Sequence, residues 1–307
     1  PYAGKSIVVV SGGDKIYTID FKKHALVSVR QWDEGDELLE SCPASEAVAY
    51  LKGGNLYVSR GLKQWQLSHD GSRQIVYGQS VHRDEFGICK GTFWSPDGMR
   101  LAFYRMDQSM VTDYPQVNIP EIGFNHPETQ SCIATAAPDK YPMAGETSHK
   151  VTVGVFDLST GKTVYLKAGD PTDRYFTNIA WSPDGASIYM FELNRDQNDC
   201  RLTCYDATTG EKKGELYRET DAKYVEPQHP ILFLPWDSSQ FIMQSRKDGY
   251  NHLYLCTIGK HGSRMGSNTE SVDIRQLTKG QWEVMEVLGF NRKRKSVVIA
   301  SNECSPI

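Results

Sequence analysis

The sequence predicts an all-β protein, a β-propeller of four-stranded antiparallel blades. Three observations lead to this fold class. One phrase recurs along the chain: an aromatic residue, then Ser-Pro-Asp-Gly, then an apolar run. The 26 Gly and 16 Tyr residues indicate many tight turns and aromatic-rich strands. No stretch of the chain shows the 3.6-residue apolar periodicity of a long amphipathic helix.

The recurring phrase has two clear copies and three degenerate ones. The clear copies read FWSPDGMRLAFYRMD from Phe93 and AWSPDGASIYMFELN from Ala180. The equivalent points in the five copies are Cys42, Ser95, Ser182, Leu234 and Asn291. Successive points are 53, 87, 52 and 57 residues apart. A repeat of about 50 residues that contains several short strands is typical of a propeller blade.

Within each unit, strands and turns follow in the same order. An apolar strand ends in the Pro-Asp-Gly turn, which suits a tight reversal of the chain. A second strand such as RLAFYR and a third such as VTVGVFDL follow, and a polar turn such as STGK leads to a fourth strand such as TVYLK. A β-sandwich also contains many short strands, but it does not repeat a four-strand phrase.

The 87-residue step is much longer than the other three steps. Its excess falls on residues 112–150, which are rich in Pro, Asn, Thr and Ala. We interpret this stretch as a long excursion from one blade rather than a separate domain, and long ordered loops are often functional. The sequence therefore predicts a single β-propeller domain over residues 1–307.

Composition excludes several classes of protein. The 307 residues are 39% hydrophobic and 23% charged, which suits a soluble globular chain. No apolar run approaches the roughly 18 residues needed to cross a bilayer. The net charge of −4 provides no basic field for nucleic acid. The chain starts at Pro1 without a signal-peptide pattern, so we expect a processed or truncated product.

No motif for catalysis or for a cofactor is found. The Gly-x-Ser-x-Gly elbow of hydrolases is missing, and the histidines and cysteines show no metal-ligand spacing. The sequence therefore predicts no metal, no cofactor and no catalytic residue in this chain. On these grounds it is a scaffold or a binding module.

One segment departs from the strand pattern. SVHRDEFGICKG, Ser80–Gly91, places Arg83, Asp84 and Glu85 together just before the strand FWSP. We call it the acidic segment. Adjacent carboxylates can bind a cation such as the α-ammonium group of a peptide through charge-assisted hydrogen bonds. The other interpretation is an ordinary solvated charge cluster, and spacing alone does not separate the two.

At the acidic segment the chain becomes recognisable: it resembles the N-terminal propeller domain of the dipeptidyl peptidase IV family of serine exopeptidases, firmly from Ser41 to about Ser305 and loosely over the first forty residues. The phrases that carry the resemblance include VHRDEFGICKGTFWSPDGMRLAFYRMDQSMVTDYP, YPMAGETSHKVTVGVFDLSTGKTVYL and QLTKGQWEV. The similarity is greatest to the dipeptidyl and prolyl tripeptidyl members from Bacteroidetes. It implies an eight-bladed propeller that caps an α/β-hydrolase domain. We therefore expect an incomplete propeller that lacks the hydrolase domain and is inactive alone.

The resemblance also implies roles for the acidic segment. In the family, such residues bind the free amino terminus of peptide substrates. Glu85 fits the pattern of both dipeptidyl and tripeptidyl members and is the primary candidate, and Asp84 is the secondary one because the dipeptidyl enzymes have Glu there. Arg83 either braces the carboxylates or contacts the substrate. Whether two or three residues are released stays open.

The family further implies a bacterial periplasmic, cell-envelope or secreted location, homodimers and release of di- or tripeptides after proline. A different interpretation also stays open, in which the chain is a free-standing propeller that serves as a binding or protein-interaction module. The two differ in whether an α/β-hydrolase domain is the partner of this propeller.

Overall fold

The structure, a computed structural model, describes residues 6–12, 15–31, 33, 35–119, 134–262 and 268–304. Within these ranges the chain forms 26 short strands and one six-residue segment of tight helical turns, His82–Gly87. The strands lie in a succession of antiparallel sheets, which confirms the predicted all-β class. No helix in the described part of the chain is long and apolar enough to span a membrane.

The first two sheets are simple meanders. The first has three strands: β1 (Ile7–Gly12), β2 (Lys15–Asp20) and β3 (Ala25–Gln31). The second has four strands: β4 (Glu37–Ser41), β5 (Val48–Lys52), β6 (Asn55–Arg60) and β7 (Lys63–Gln66). In the second sheet each strand pairs with the next along the chain, as in a propeller blade.

The first strand of the third sheet is interrupted. Its two halves, β8 (Ile75–Tyr77) and β9 (Thr92–Trp94), both pair with the same neighbour, β10 (Arg100–Asp107). The main-chain N–H of Gly78 donates to the carbonyl of Tyr104 at 2.8 Å, and the N–H of Tyr104 donates to Gly91 at 2.9 Å. The residues between the two halves therefore leave the sheet and return to it at nearly the same point.

After β10 the chain makes a long excursion. Four two-residue strands pair in nested order, β11 with β14 and β12 with β13, and their bounds are Asp113–Tyr114, Val117–Asn118, Thr135–Ala136 and Asp139–Lys140. Residues 120–133 of the predicted 112–150 excursion lie outside the described residues. The chain then returns as β15 (Lys150–Asp157) and β16 (Lys162–Tyr165), which complete the third sheet.

Three further sheets follow in chain order. The fourth has β17 (Arg174–Trp181), β18 (Ser187–Asn194), β19 (Asp199–Asp206) and β20 (Lys212–Thr220). The fifth has β21 (Leu232–Leu234), β22 (Asp237–Ser245), β23 (His252–Gly262) and β24 (Asn268–Gln276). The sixth pairs β25 (Val284–Asn291) with β26 (Ser296–Ser301).

The Ser-Pro-Asp-Gly turns adopt the same geometry in the third and fourth sheets. The Ser95 hydroxyl accepts the N–H of Arg100 at 2.9 Å, and the Ser182 hydroxyl accepts the N–H of Ser187 at 2.9 Å. Gly98 closes the first of these turns with φ +68°, a conformation that favours glycine. The recurring phrase is therefore a structural turn that links the first two strands of a blade.

The hydrophobic core lies between successive sheets. Separate clusters of buried side chains join the second sheet to the third, the third to the fourth, the fourth to the fifth and the fifth to the sixth. Among the largest fully buried side chains are Tyr104, Tyr205 and Tyr254, one from each of the third, fourth and fifth sheets. Face-to-face packing of this kind leaves the loops between strands to build any binding site.

Candidate functional site

The acidic segment has an unusual backbone. His82, Arg83, Asp84 and Phe86 have φ values of 55°, 57°, 64° and 58°, whereas Glu85 is extended at φ −66°, ψ 162°. L-residues with a side chain rarely adopt the left-handed region, and it costs about 1–2 kcal/mol per residue. Such a conformation persists only when surrounding contacts hold it.

Two buried aromatic side chains anchor the acidic segment, and the charged side chains between them are exposed. His82 and Phe86 are both only 4% exposed, whereas Arg83, Asp84 and Glu85 are all exposed. Phe86 belongs to the hydrophobic cluster between the fourth and fifth sheets. The segment therefore reaches from the third sheet across to its neighbours and presents three charges to solvent.

Arg83 contacts the excursion. Its guanidinium forms an ion pair with Asp139 at 2.7 Å and lies 5.0 Å from the centre of the Tyr141 ring. The structure thus places Arg83 on Asp139 of β14 rather than on the two acids beside it. Among the described residues, Arg83 forms no ion pair with Asp84 or Glu85.

The two acids of the segment differ in their contacts. The Asp84 carboxylate accepts a hydrogen bond from the Ser80 hydroxyl. Among the residues that the structure describes, the Glu85 carboxylate has neither a hydrogen-bond nor an ion-pair partner, and the main-chain carbonyl of Glu85 accepts the N–H of Ile88 at 3.1 Å. Burial raises the pKa of the Tyr175 hydroxyl, and the negative charge of Glu85 adds to this rise, so the Glu85 carboxylate lies near that ring. Glu85 is thus the carboxylate that is free to bind a cation.

A buried histidine pair links the acidic segment to the end of the excursion. His82 Nδ1 and His149 Nε2 are 2.7 Å apart, and both residues are almost fully buried. Burial, with the charges of Arg195 and Arg83, lowers the pKa of His149 to about 4. Burial and the neighbouring His149 lower the pKa of His82 as well. Both rings are therefore neutral near pH 7 and share one hydrogen bond.

Asn178 contacts the acidic segment from the fourth sheet. Its side-chain Nδ2 donates to the carbonyl of Phe86 at 2.9 Å and to the carbonyl of Pro227 at 2.7 Å. Sequence reasoning did not identify Asn178, His82 or His149 as site residues. A single Asn inside a predicted strand, and two histidines 67 positions apart, show no pattern that would single them out.

Comparisons with known proteins agree with this architecture. The sequence model of the family described as the dipeptidyl peptidase IV (DPP IV) N-terminal region matches residues 4–307. A solved structure of a dipeptidyl aminopeptidase IV from Bacteroides ovatus matches with a TM-score of 0.83 and 46% identity, over 98% of this chain and 42% of that chain. The structure of Porphyromonas gingivalis dipeptidyl peptidase 4 shares the fold, with a TM-score of 0.74 and 22% identity over 98% of this chain and 41% of that one.

Curated relatives that match this chain are also dipeptidyl aminopeptidases. A dipeptidyl-aminopeptidase B of the fungus Phaeosphaeria nodorum is 28% identical over 265 residues, which cover 80% of this chain and 28% of that protein. The corresponding protein of Coccidioides posadasii is 25% identical over 298 residues, 90% of this chain and 31% of its own length. The chain thus spans less than a third of these relatives.

The succession of packed antiparallel sheets, one of which has its first strand interrupted by the acidic segment, defines a β-propeller domain. The family model matches residues 4–307, almost the whole chain, and this match is more specific than the fold alone. This chain belongs to the dipeptidyl peptidase IV N-terminal region family, which confirms the family predicted from its sequence.

Proposed function

We propose that this chain is the substrate-recognising and gating propeller of a serine exopeptidase that releases di- or tripeptides after proline. In this proposal Glu85 anchors the α-ammonium group of the peptide substrate. The observation that supports it best is the state of Glu85: an exposed carboxylate without a protein partner, carried on a strained segment that buried contacts hold in place.

The chemistry of the substrate fits this anchor. A peptide's α-amino group has a pKa of about 8 and is positively charged at neutral pH. A carboxylate binds it with a charge-assisted hydrogen bond, which is stronger than one between neutral groups. An exopeptidase must also measure the substrate from its amino end. A carboxylate at a fixed distance from the scissile bond both binds the ammonium group and sets how far from the amino end the peptide is cut.

The neighbouring residues have supporting roles in the proposal. Asp84 is a secondary ligand, because its carboxylate already accepts the Ser80 hydroxyl. Arg83 braces the segment through Asp139. The catalytic partner is an α/β-hydrolase domain, whose serine would form the acyl-enzyme, so this chain alone is inactive.

The test is the substitution Glu85→Gln in the protein as its gene encodes it. The expected result is a fall in kcat/KM of about 30-fold or more on proline-containing peptides with a free amino terminus, because one partner of a charge pair is lost. The matched control is Glu211→Gln, which alters an exposed acid paired with Lys167. An unchanged kcat/KM in Glu85→Gln would refute the anchor.

The alternative is a free-standing propeller that serves as a binding or protein-interaction module and captures peptides by their amino termini without cleaving them. Peptide binding without turnover by the protein as encoded would favour this alternative. We also propose a periplasmic or cell-envelope location and a homodimer, both by analogy with the family. Cell fractionation and light scattering of the purified protein test these two points.

A further inference from the structure

Asn178 occupies a strained position inside a strand. It lies in β17, where the pairing with β18 shifts register between Thr177 and Ala180, and its own φ is 53°. Asn tolerates the left-handed region better than most residues do. A β-bulge re-aims the side chain at the bulged position. The fourth sheet therefore departs from regular geometry at the residue that reaches the acidic segment.

The side chain of Asn178 joins two loops. Its amide nitrogen has two N–H groups, and the carbonyls of Phe86 and Pro227 lie at 2.9 and 2.7 Å from it. A third, local contact links it to the Thr177 hydroxyl at 3.1 Å. Asn178 is only 8% exposed, so water has little access to replace these bonds.

The two loops are in direct contact beside this bridge. Phe86 follows Glu85 in the acidic segment, and Pro227 belongs to the connection between β20 and β21. A Cβ atom added to Gly87 would lie 2.1 Å from the carbonyl oxygen of Gln228. The main chain after Glu85 is therefore fixed against this connection, while the contacts of His82 and Arg83 hold the other side of the segment to the excursion.

From this geometry we infer that Asn178 is a positioning residue for the amino-terminus anchor. By clamping the carbonyl directly after Glu85, it fixes where the Glu85 carboxylate meets the α-ammonium group. The inference rests on the function proposed for Glu85. It assigns Asn178 to substrate binding through Glu85, without contact to the substrate.

The first test is Asn178→Gly in the protein as its gene encodes it, because glycine accepts a φ of 53° without strain and lacks the side chain whose amide makes these hydrogen bonds. We expect KM for proline-containing peptides with a free amino terminus to rise about tenfold, with kcat changed by less than about twofold. The matched control is Asn55→Ala in the second sheet, which removes an amide whose oxygen accepts the N–H of Gly71 at 2.9 Å. Its KM should be unchanged.

The second test is a double-mutant cycle. If Asn178 acts through Glu85, Asn178→Gly changes KM by less than about twofold in a Glu85→Gln background. A purely structural role would lower the unfolding temperature and change KM equally in both backgrounds. If Glu85→Gln impairs binding, additive effects of the two substitutions on KM overturn the inference. An unchanged KM in Asn178→Gly alone also overturns it. If Glu85→Gln itself has no effect, the proposed function fails instead.

A second variant covers the case in which Asn178→Gly does not fold. Asn178→Asp keeps the size of the side chain and places a carboxylate oxygen against the carbonyls of Phe86 and Pro227. Oxygen facing oxygen is repulsive, so KM should rise at least as much as in the glycine variant. An unchanged KM in folded Asn178→Asp also overturns the inference.

Discussion

The Nε2 atom of His149 lies 2.7 Å from the Nδ1 atom of His82. His82 begins the strained turns that carry Asp84 and Glu85, and His149 immediately precedes β15, where the excursion rejoins its sheet. One buried hydrogen bond thus joins the acidic segment to the excursion. The charged groups around the pair are Arg83 and Arg195, with Glu85 near the Tyr175 ring that packs on His82.

The histidine pair predicts how stability depends on pH. The pKa of His149 falls from 6.5 to about 4 on folding, and that of His82 also falls. His149 therefore binds a proton below about pH 6.5 in the unfolded chain, but only below about pH 4 in the folded chain. Stability is full above pH 6.5 and declines as the pH falls, by on the order of 3 kcal/mol for His149 alone.

Urea unfolding between pH 6.5 and 5, above the range in which carboxylates titrate, measures this decline. His149→Asn should make the free energy of unfolding depend less steeply on pH, because one titrating ring is removed. The control is His69→Asn, which alters an exposed histidine and should leave the slope as it is. Equal slopes in wild type and His149→Asn would contradict a neutral buried pair.

Asp84 and Glu85 should differ in their importance. Asp84→Asn keeps the size of the side chain, and its partner Ser80 can still donate a hydrogen bond to it. We expect kcat/KM on peptides with a free amino terminus to fall less than about tenfold, a smaller loss than in Glu85→Gln. Steady-state kinetics on both variants checks the order. A larger loss in Asp84→Asn would make Asp84 the primary anchor.

Gly87 should not tolerate a side chain. It has φ +70°, and an added Cβ would lie 2.1 Å from the main-chain oxygen of Gln228. Gly87→Ala should therefore displace the acidic segment and raise KM, besides the cost of about 1–2 kcal/mol for a left-handed L-residue. Gly53→Ala is the matched control, because Gly53 has φ +55° but nothing within 4 Å of an added Cβ. Similar KM values in the two variants would contradict the contact with Gln228.

Arg100 should stabilise the packing of the third sheet on the fourth. Its guanidinium donates to Asp157 at 3.0 Å, to the carbonyl of Gly185 at 2.8 Å and to the Thr208 hydroxyl at 3.2 Å. Arg100→Ala should lower the free energy of unfolding by about 1.5–3 kcal/mol, since hydrogen bonds of charged groups are lost. Urea denaturation measures it. Lys167→Ala, which removes an exposed pair with Glu211, should cost almost nothing.

The blades were predictable because their signals are local. The turn at Ser95 follows from a hydroxyl, a proline and a glycine within four residues, and it has the predicted geometry in the structure. All five equivalent points lie at or directly after the end of a sheet's first strand, as β4, β9, β17, β21 and β25 show. The alternation of apolar and polar residues, together with the turn sequences, therefore located the strands without knowledge of tertiary contacts.

The site was predictable only in its charged residues. Glu85 and Asp84 could be identified from the sequence because acids stand out beside a strand and match a family pattern. The partner of Arg83 could not, because Asp139 is 56 positions away in a segment that has no repeat. The role of Asn178 depends on a positive φ that arises from the register shift in β17, and no local pattern encodes it.

The interrupted strand separates the residues that form the site from the strand pairing that holds the third sheet together. Because β8 and β9 hydrogen-bond to the same strand, the register of the third sheet does not depend on the exposed side chains of Arg83, Asp84 and Glu85. These three side chains can change while the strand pairing beneath them stays the same, because the buried Phe86 and Ile88 keep the insert packed in the core. A new substrate preference can thus arise from changes at three exposed positions, without a change in the blade that carries them.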